Sequence, residues 1–122
     1  ARAGAQTPFT NGSLDQHLSR VGWHAGNSGS RTHEVGMLRP NRWGIYDMHG
    51  NVYEWAWGTP RRYPSSFEMN PGESSLPGDA KHVFRGGSWY TPPRGCRSAC
   101  RTGWHPGQQD PDIGFRLVRP VH

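Results

Sequence analysis

Aliphatic side chains are scarce in this 122-residue chain: only 32% of its residues are hydrophobic. No run approaches the ~20 apolar residues that a membrane-spanning helix needs. No window keeps apolar residues at i, i+3, i+4 and i+7, which excludes a helical bundle. Cysteine occurs twice, at Cys96 and Cys100, too few for a disulfide framework, so the redox compartment stays open. Lysine is almost missing: of 14 basic residues only Lys81 is not arginine. No signal peptide is visible. The chain opens at Ala1 rather than at a methionine, and a processed or truncated N-terminus would hide one. The compartment is therefore not assigned. The length is that of one domain or part of one.

Glycine and proline are abundant, at 17 and 11 residues. That content alone would suggest low complexity, but 6 Trp, 4 Tyr and 4 Phe are more aromatics than disordered chains carry. The composition therefore predicts a small aromatic core within turn-rich backbone. The net charge is +5. A nucleic-acid interface gathers its charge on one face or stretch, whereas these arginines are scattered, with local density only at Arg94, Arg97 and Arg101. Arginine suits fixed, bidentate contacts, and Arg85, Arg97, Arg101 and Arg116 are expected to brace loops by pairing with Glu54, Asp110 or Asp112.

Residues 1–42 read as loop, with Asn11-Gly12-Ser13 and Gly26-Asn27-Ser28-Gly29-Ser30 as turn formers. A short helix is expected at Ser13–Val21, with Ser13 as cap and Gln16 as its reciprocal partner. Gly50-Asn51 marks a tight turn. The following residues alternate, so Tyr53, Trp55 and Trp57 face one side of a strand and Val52, Glu54 and Ala56 the other. Residues 58–80 form a loop of roughly twenty residues, longer than ordinary connections. Further strands are expected at 82–85, 96–102 and 113–119, the last burying Phe115, Leu117 and Val118. Gly86-Gly87 suggests a bulge or a close backbone approach.

The turn offers a candidate cation site. Ca²⁺ takes six to eight oxygen ligands from carboxylates, carbonyls and water. Asp47 and Glu54 flank the turn as two carboxylates, with the carbonyls of Gly50 and Val52 between them. The alternative is that Asp47 only bonds backbone amides and Glu54 pairs with an arginine.

The segment Gly44-Ile45-Tyr46-Asp47-Met48-His49-Gly50-Asn51-Val52-Tyr53-Glu54-Trp55 resembles a signature of the formylglycine-generating enzyme (sulfatase-modifying factor) superfamily. So do Phe84-Arg85-Gly86-Gly87-Ser88-Trp89, Cys96-Arg97-Ser98-Ala99 and Gly114-Phe115-Arg116-Leu117-Val118, in the same order. Pro40-Asn41-Arg42-Trp43 is similar to the stretch that leads into the first block. The resemblance implies an α+β, C-type-lectin-like fold: irregular, with a small twisted antiparallel sheet and long loops. It implies calcium at the positions matching Asp47, Gly50, Val52 and Glu54. Ala1-Arg2-Ala3-Gly4 looks like a stretch partway through the family domain. Residues 1–122 are thus expected to be its C-terminal portion, with the upstream part absent from this chain or supplied by a second chain.

The family's oxidases use two cysteines and copper to convert a sulfatase cysteine to formylglycine. Cys96 and Cys100 are the candidate catalytic pair, but they align poorly. Cys96 matches the first position, whereas the second falls on Ser98, and the family spacing is one residue longer. Four residues along a strand separate side chains by ~13 Å, too far for a shared metal; on a turn they would meet. The seven histidines show no ligand spacing, and no phosphate-binding glycine loop is present. The remaining candidate is a binding surface for a protein or peptide ligand on the 89–94 and 101–110 loops, with Trp89, Tyr90, Arg94, Arg101, Trp104 and His105, since exposed aromatics beside arginine make binding hot spots. Non-catalytic relatives, among them the variable proteins of diversity-generating retroelements, carry their binding residues in this interval. A ligand-binding or scaffold module is therefore expected ahead of a copper oxidase. Trp89 belongs to one of the blocks that carry the resemblance and is expected to pack the core.

Overall fold

A computed structural model of the chain describes residues 1–56 and 81–119. Trp57 and the expected 58–80 loop lie outside the described residues. The elements in chain order are α1 (Asp15–Leu18), β1 (Gly22–Trp23), β2 (His49–Gly50), β3 (Tyr53–Ala56), β4 (His82–Arg85), a 3₁₀ turn at Pro93–Cys96, β5 (Arg101–Trp104) and β6 (Ile113–Gly114). β1 and β2 form a small parallel pair, with Gly22 opposite His49. The larger sheet has the order β5-β4-β3-β6. Its β5–β4 and β4–β3 pairings are antiparallel, while β6 adds to β3 in parallel. The architecture is the irregular α+β arrangement expected, except that the sheet is mixed at its β6 edge.

Aromatic residues fill the place that aliphatics would take. Phe84 is buried at the centre of the sheet. Tyr53 and Trp55 meet its ring edge-on at 5.1 and 5.2 Å, and Trp104 stacks at 6.3 Å. This is the period-2 alternation of β3 seen in three dimensions. A second cluster, of Phe9, Leu18, Val21 and Cys96, packs the N-terminal loops against the 3₁₀ turn.

Three expectations change. The helix is one turn long and Ser13 does not cap it. Leu14 occupies the cap, and its N–H donates to His17 Nδ1 at 3.2 Å, so the imidazole does what Gln16 was expected to do. The strand expected at 96–102 starts at Arg101, because Pro92 and Pro93 fix φ for a 3₁₀ turn that runs through Cys96. The strand at 113–119 pairs only through Gly114. Phe115, Leu117 and Val118, expected to be buried, are 75%, 87% and 84% exposed. The chain leaves the sheet edge there, and the Arg116 side chain crosses to the loop before β2.

The glycine pair at 86–87 makes the close approach expected. A Cβ on Gly87 (φ 76°) would lie 2.4 Å from Cys96 Sγ, and the Gly86 carbonyl accepts the Gly50 N–H at 2.7 Å. Among the described residues no helix is long and apolar enough to cross a membrane.

Candidate functional site

The turn at 50–51 is set by two consecutive left-handed residues, Gly50 (φ 71°) and Asn51 (φ 66°). Only glycine fits the first position: a Cβ there would sit 2.0 Å from the Trp23 carbonyl oxygen. Asn51 is buried and joins three segments. Its N–H donates to the Trp23 carbonyl and its own carbonyl accepts the Trp89 N–H, each at 2.7 Å. Its side-chain amide closes a reciprocal pair with the backbone of His33, at 2.9 and 3.0 Å. His33 in turn stacks on Trp23 at 3.8 Å.

Beside this turn Asp47, Gly50, Val52 and Glu54 all line one cavity of about 500 Å³, together with Tyr46, Phe115 and Arg116. The structure thus gathers the four residues named as candidate calcium ligands. Asp47, itself left-handed at φ 54°, accepts the Gly36 N–H through Oδ2 at 2.7 Å. Its other oxygen, Oδ1, is buried without a hydrogen-bond partner. Glu54 is engaged: Arg116 Nε and Nη2 donate to its two oxygens at 2.8 and 2.7 Å. The same guanidinium donates to the carbonyls of Tyr46 (2.9 Å) and Asp47 (3.0 Å). Hydrogen bonding to Glu54 raises the Arg116 pKa above its ordinary value. Two carboxylates line this cavity, and one of them has an orphaned oxygen; carboxylate oxygens are donors of the kind that a hard cation takes. One cation, a guanidinium, already sits on Glu54, and the expected arginine–Glu54 pair is this one.

The cysteines are both free. Cys96 is fully buried, and burial, with Cys100 as a lesser cause, pushes its thiol up to about 12. Reactive thiols are shifted the other way. Cys100 is half-buried, and its thiol points to the Arg94 carbonyl at 3.1 Å. The two residues lie on either side of a turn closed by the Cys100 N–H on the Arg97 carbonyl. Among the described residues no three His, Cys, Asp or Glu side chains group to hold a metal ion.

The candidate binding residues divide between two ends of the sheet. Tyr90 follows the end of β4 at which Arg85 faces Arg101; Trp104 faces His82 at the other end, with His105 beyond it. Tyr90 is 72% and Trp104 41% exposed, and Arg94 and His105 are exposed as well. Trp89 is half-buried and its backbone is tied at both groups, by Asn51 and by the Ser28 hydroxyl at 2.7 Å. Its backbone belongs to the frame, but the residue expected to pack the core is only half-buried, and its ring meets the exposed Tyr90 at 5.5 Å.

Sequence reasoning missed what holds this surface. Ser88, fully buried, donates to Asp112 Oδ2 at 2.7 Å and lies 2.9 Å from the Thr91 hydroxyl, which reaches the Tyr53 hydroxyl at 3.1 Å. Burial raises the pKa of both Asp112 and Tyr53. His49, also buried, accepts the Thr10 N–H at Nε2 (3.2 Å) and bonds the Cys96 carbonyl through Nδ1 (2.7 Å). The available signal was local: polar residues set inside otherwise apolar or glycine-rich blocks.

The sequence profile of the sulfatase-modifying factor enzyme 1-like domain matches residues 1–121. The formylglycine-generating enzyme of Streptomyces coelicolor is 33% identical over 117 residues, which is 91% of this chain and 32% of the enzyme. The chaperone protein LppX of Paenibacillus barcinonensis is 31% identical over 98 residues, 76% of this chain and 29% of that protein. Among solved structures, Treponema denticola variable protein 1 superposes with a TM-score of 0.84 at 34% identity, covering 94% of this chain and 41% of that one. PvdO from Pseudomonas aeruginosa gives 0.69 at 30% identity, covering 94% and 46%. The chain spans at most about a third of the curated relatives it matches. A profile match across nearly every residue, with its motifs on the turn, the glycine pair and the Arg116 segment just described, places this chain in the sulfatase-modifying factor enzyme 1-like, or formylglycine-generating enzyme-like, family.

Proposed function

We propose that this chain is a calcium-stabilised ligand-binding or scaffold module that presents the 89–94 and 101–110 loops to a protein or peptide ligand. The observation that carries the reading is the contrast within those loops. Tyr90 and Trp104 are exposed aromatics, yet the backbone beneath Tyr90 is fastened by the Ser88–Thr91–Asp112 hydrogen bonds. Rigid aromatic anchors on a fixed frame bind with little entropic loss. The buried, protonated Cys96 favours this reading over copper-dependent oxidation of a sulfatase cysteine, because a thiolate is the reactive species.

Selection of a displayed peptide library against the folded protein tests the binding role. Enriched peptides should lose binding to Tyr90→Ala or Trp104→Ala while both variants stay folded. Enrichment that is indifferent to both substitutions overturns the assignment of these loops, and turnover of a sulfatase peptide with copper(I), lost in Cys96→Ser, overturns it in favour of the oxidase. For calcium, chelation should lower the melting temperature, and Glu54→Ala should remove that response. An unmutated protein that ignores the chelator leaves the site as a braced turn only.

A further inference from the structure

We infer that the molecule carries a second binding surface, a groove that takes a peptide segment of another protein in which apolar side chains are followed by a carboxylate. The inference stands apart from the 89–94 and 101–110 loops, none of whose residues lines the groove, and it needs no bound ion.

The groove is two adjoining cavities. The one of about 500 Å³ beside the 50–51 turn is bordered by Val35, Ile45, Tyr46 and Phe115. Its neighbour, of about 640 Å³, is lined by Met37, Leu38, Tyr46, Arg20 and Arg39. Gly36 and Tyr46 line both, so the two are continuous. The backbone fixes the join: Gly36, left-handed at φ 77°, donates its N–H to Asp47 Oδ2 at 2.7 Å. Val35 then lies on one cavity and Met37 on the other. Val35, Met37, Tyr46 and Phe115 are all exposed. Single exposed apolar side chains are ordinary, but several on one concave surface mark a contact site.

Charge decides what sits there. The Arg39 N–H donates to the Arg20 carbonyl at 3.0 Å, which sets the two residues side by side at one end of the groove. Both are exposed, and neither guanidinium has an ion-pair partner among the described residues. No carboxylate lines their cavity, and Asp15 and Glu34, close to them in sequence, line neither. The other cavity holds Asp47 and Glu54, the latter paired with Arg116. The groove is thus apolar along its length and positive at the Arg20–Arg39 end. Guanidiniums bind carboxylates through parallel N–H bonds, and an anion relieves the repulsion between two unpaired like charges. A phosphate would satisfy the arginines alone; the apolar remainder, with carboxylates of its own, favours a peptide over a nucleic acid.

Selection of a displayed peptide library on the Tyr90→Ala/Trp104→Ala protein, in which the loop surface is disabled, tests the groove by itself. Enriched peptides should carry Asp or Glu shortly after an apolar side chain. A labelled synthetic copy, followed by fluorescence anisotropy, should bind about tenfold more weakly to the Arg20→Gln/Arg39→Gln variant, the loss expected for a charged hydrogen-bonded contact. Amidating the peptide's carboxylate should cost as much in the unmutated protein and nothing further in that variant. Lys81→Gln, at the end of β4 away from Glu54, should leave binding unchanged. If the loop variant does not fold, the unmutated protein serves, and its peptides are sorted by loss on Arg20→Gln/Arg39→Gln. Enrichment only on the unmutated protein, with no peptide sensitive to the arginines, supports the loops and overturns the groove. Equal loss in Lys81→Gln shows diffuse attraction and overturns it as well. Full displacement by inorganic phosphate, with no effect of Val35→Ser or Phe115→Ser, reduces the groove to an anion site and overturns the peptide assignment. Dimerisation in sedimentation, lost in the arginine variant, assigns the groove to a second copy instead.

Discussion

Mild acid should unfold this protein through two buried histidines, and the effect can be sized. His49 is 1% and His24 4% exposed. His49 Nε2 accepts the Thr10 N–H, so Nδ1 carries the proton and donates to the Cys96 carbonyl. In His24 the Gly26 N–H donates to Nδ1, so Nε2–H faces the Ser19 hydroxyl. Each ring is satisfied only when neutral, because a second proton would point at an N–H donor. Burial lowers both pKa values, opposed at His24 by the Asp15 charge and at His49 by the Cys96 hydrogen bond. The unfolded chain takes up these protons near pH 6.5, and the folded chain does so only at lower pH. The unfolded state therefore binds more protons in that window, and stability falls as pH falls. The slope is at most about 1.4 kcal/mol per pH unit for each histidine, or about 2.7 for the two. Against a typical total of about 5–15 kcal/mol, one or two pH units matter. Urea unfolding followed by tryptophan fluorescence at pH 7.5, 6.5 and 5.5 measures it. Asp112, with its raised pKa, acts with the opposite sign above about pH 4, the Ala1 amine, whose pKa burial lowers, acts with the same sign as the histidines below about pH 8, and Tyr53 and Cys96 act above about pH 9, so the histidine share is read from the difference between the unmutated protein and a histidine variant. His49→Gln keeps a donor and an acceptor but cannot titrate, and it should remove about half the slope. An unmutated protein equally stable at all three pH values, or a glutamine variant with the full slope, refutes the reasoning.

Other substitutions test the packing. Gly50→Ala puts a Cβ 2.0 Å from the Trp23 carbonyl at a left-handed φ; it should cost about 3 kcal/mol or more, read as a shifted urea midpoint, whereas a loss below about 1 kcal/mol would show that the β1–β2 contact yields. Thiol labelling of the native protein should modify Cys100 and spare Cys96, whose burial holds it protonated. Equal labelling rates at the two positions would contradict the closed core around Phe9 and Leu18.

Period-2 alternation gave β3 correctly, and β4 followed from its flanking turns, because both strands carry aromatic and branched residues whose sides are fixed by the pleat. The same reasoning misplaced the segments after them. Residues 96–102 look extended, yet a proline pair upstream starts a 3₁₀ turn that consumes Cys96. Phe115, Leu117 and Val118 look like a core strand, and they lie outside because a side chain between them, Arg116, is held elsewhere. The four candidate residues were named from the turn and the carboxylates that flank it, and the structure puts all four on one cavity. That Arg116 would be the arginine to take Glu54 was not legible, since it lies 62 residues further along the chain. Asn51 was read as a turn former and His49 was given no role of its own; their burial follows from which distant backbone groups they satisfy, and local propensity carries no such information.

These long-range polar contacts explain how a chain with so few aliphatics keeps a defined shape. Burying a polar side chain without partners costs stability, and burying it with every group matched costs little while fixing geometry. Asn51 ties β1, the His33 loop and Trp89. His49 ties Thr10 to the end of the 3₁₀ turn. Arg116 ties β3 to the carbonyls at 46–47. Each joins segments far apart in sequence, where a larger protein would use an aliphatic core. The preference for arginine over lysine follows from the same need, because a guanidinium can hold several acceptors in one plane. A frame of this kind constrains residues 22–23, 49–56, 82–89 and 112–116. It asks little of the Tyr90 side chain and of residues 105–109, all exposed, which is where side chains are free to serve a partner.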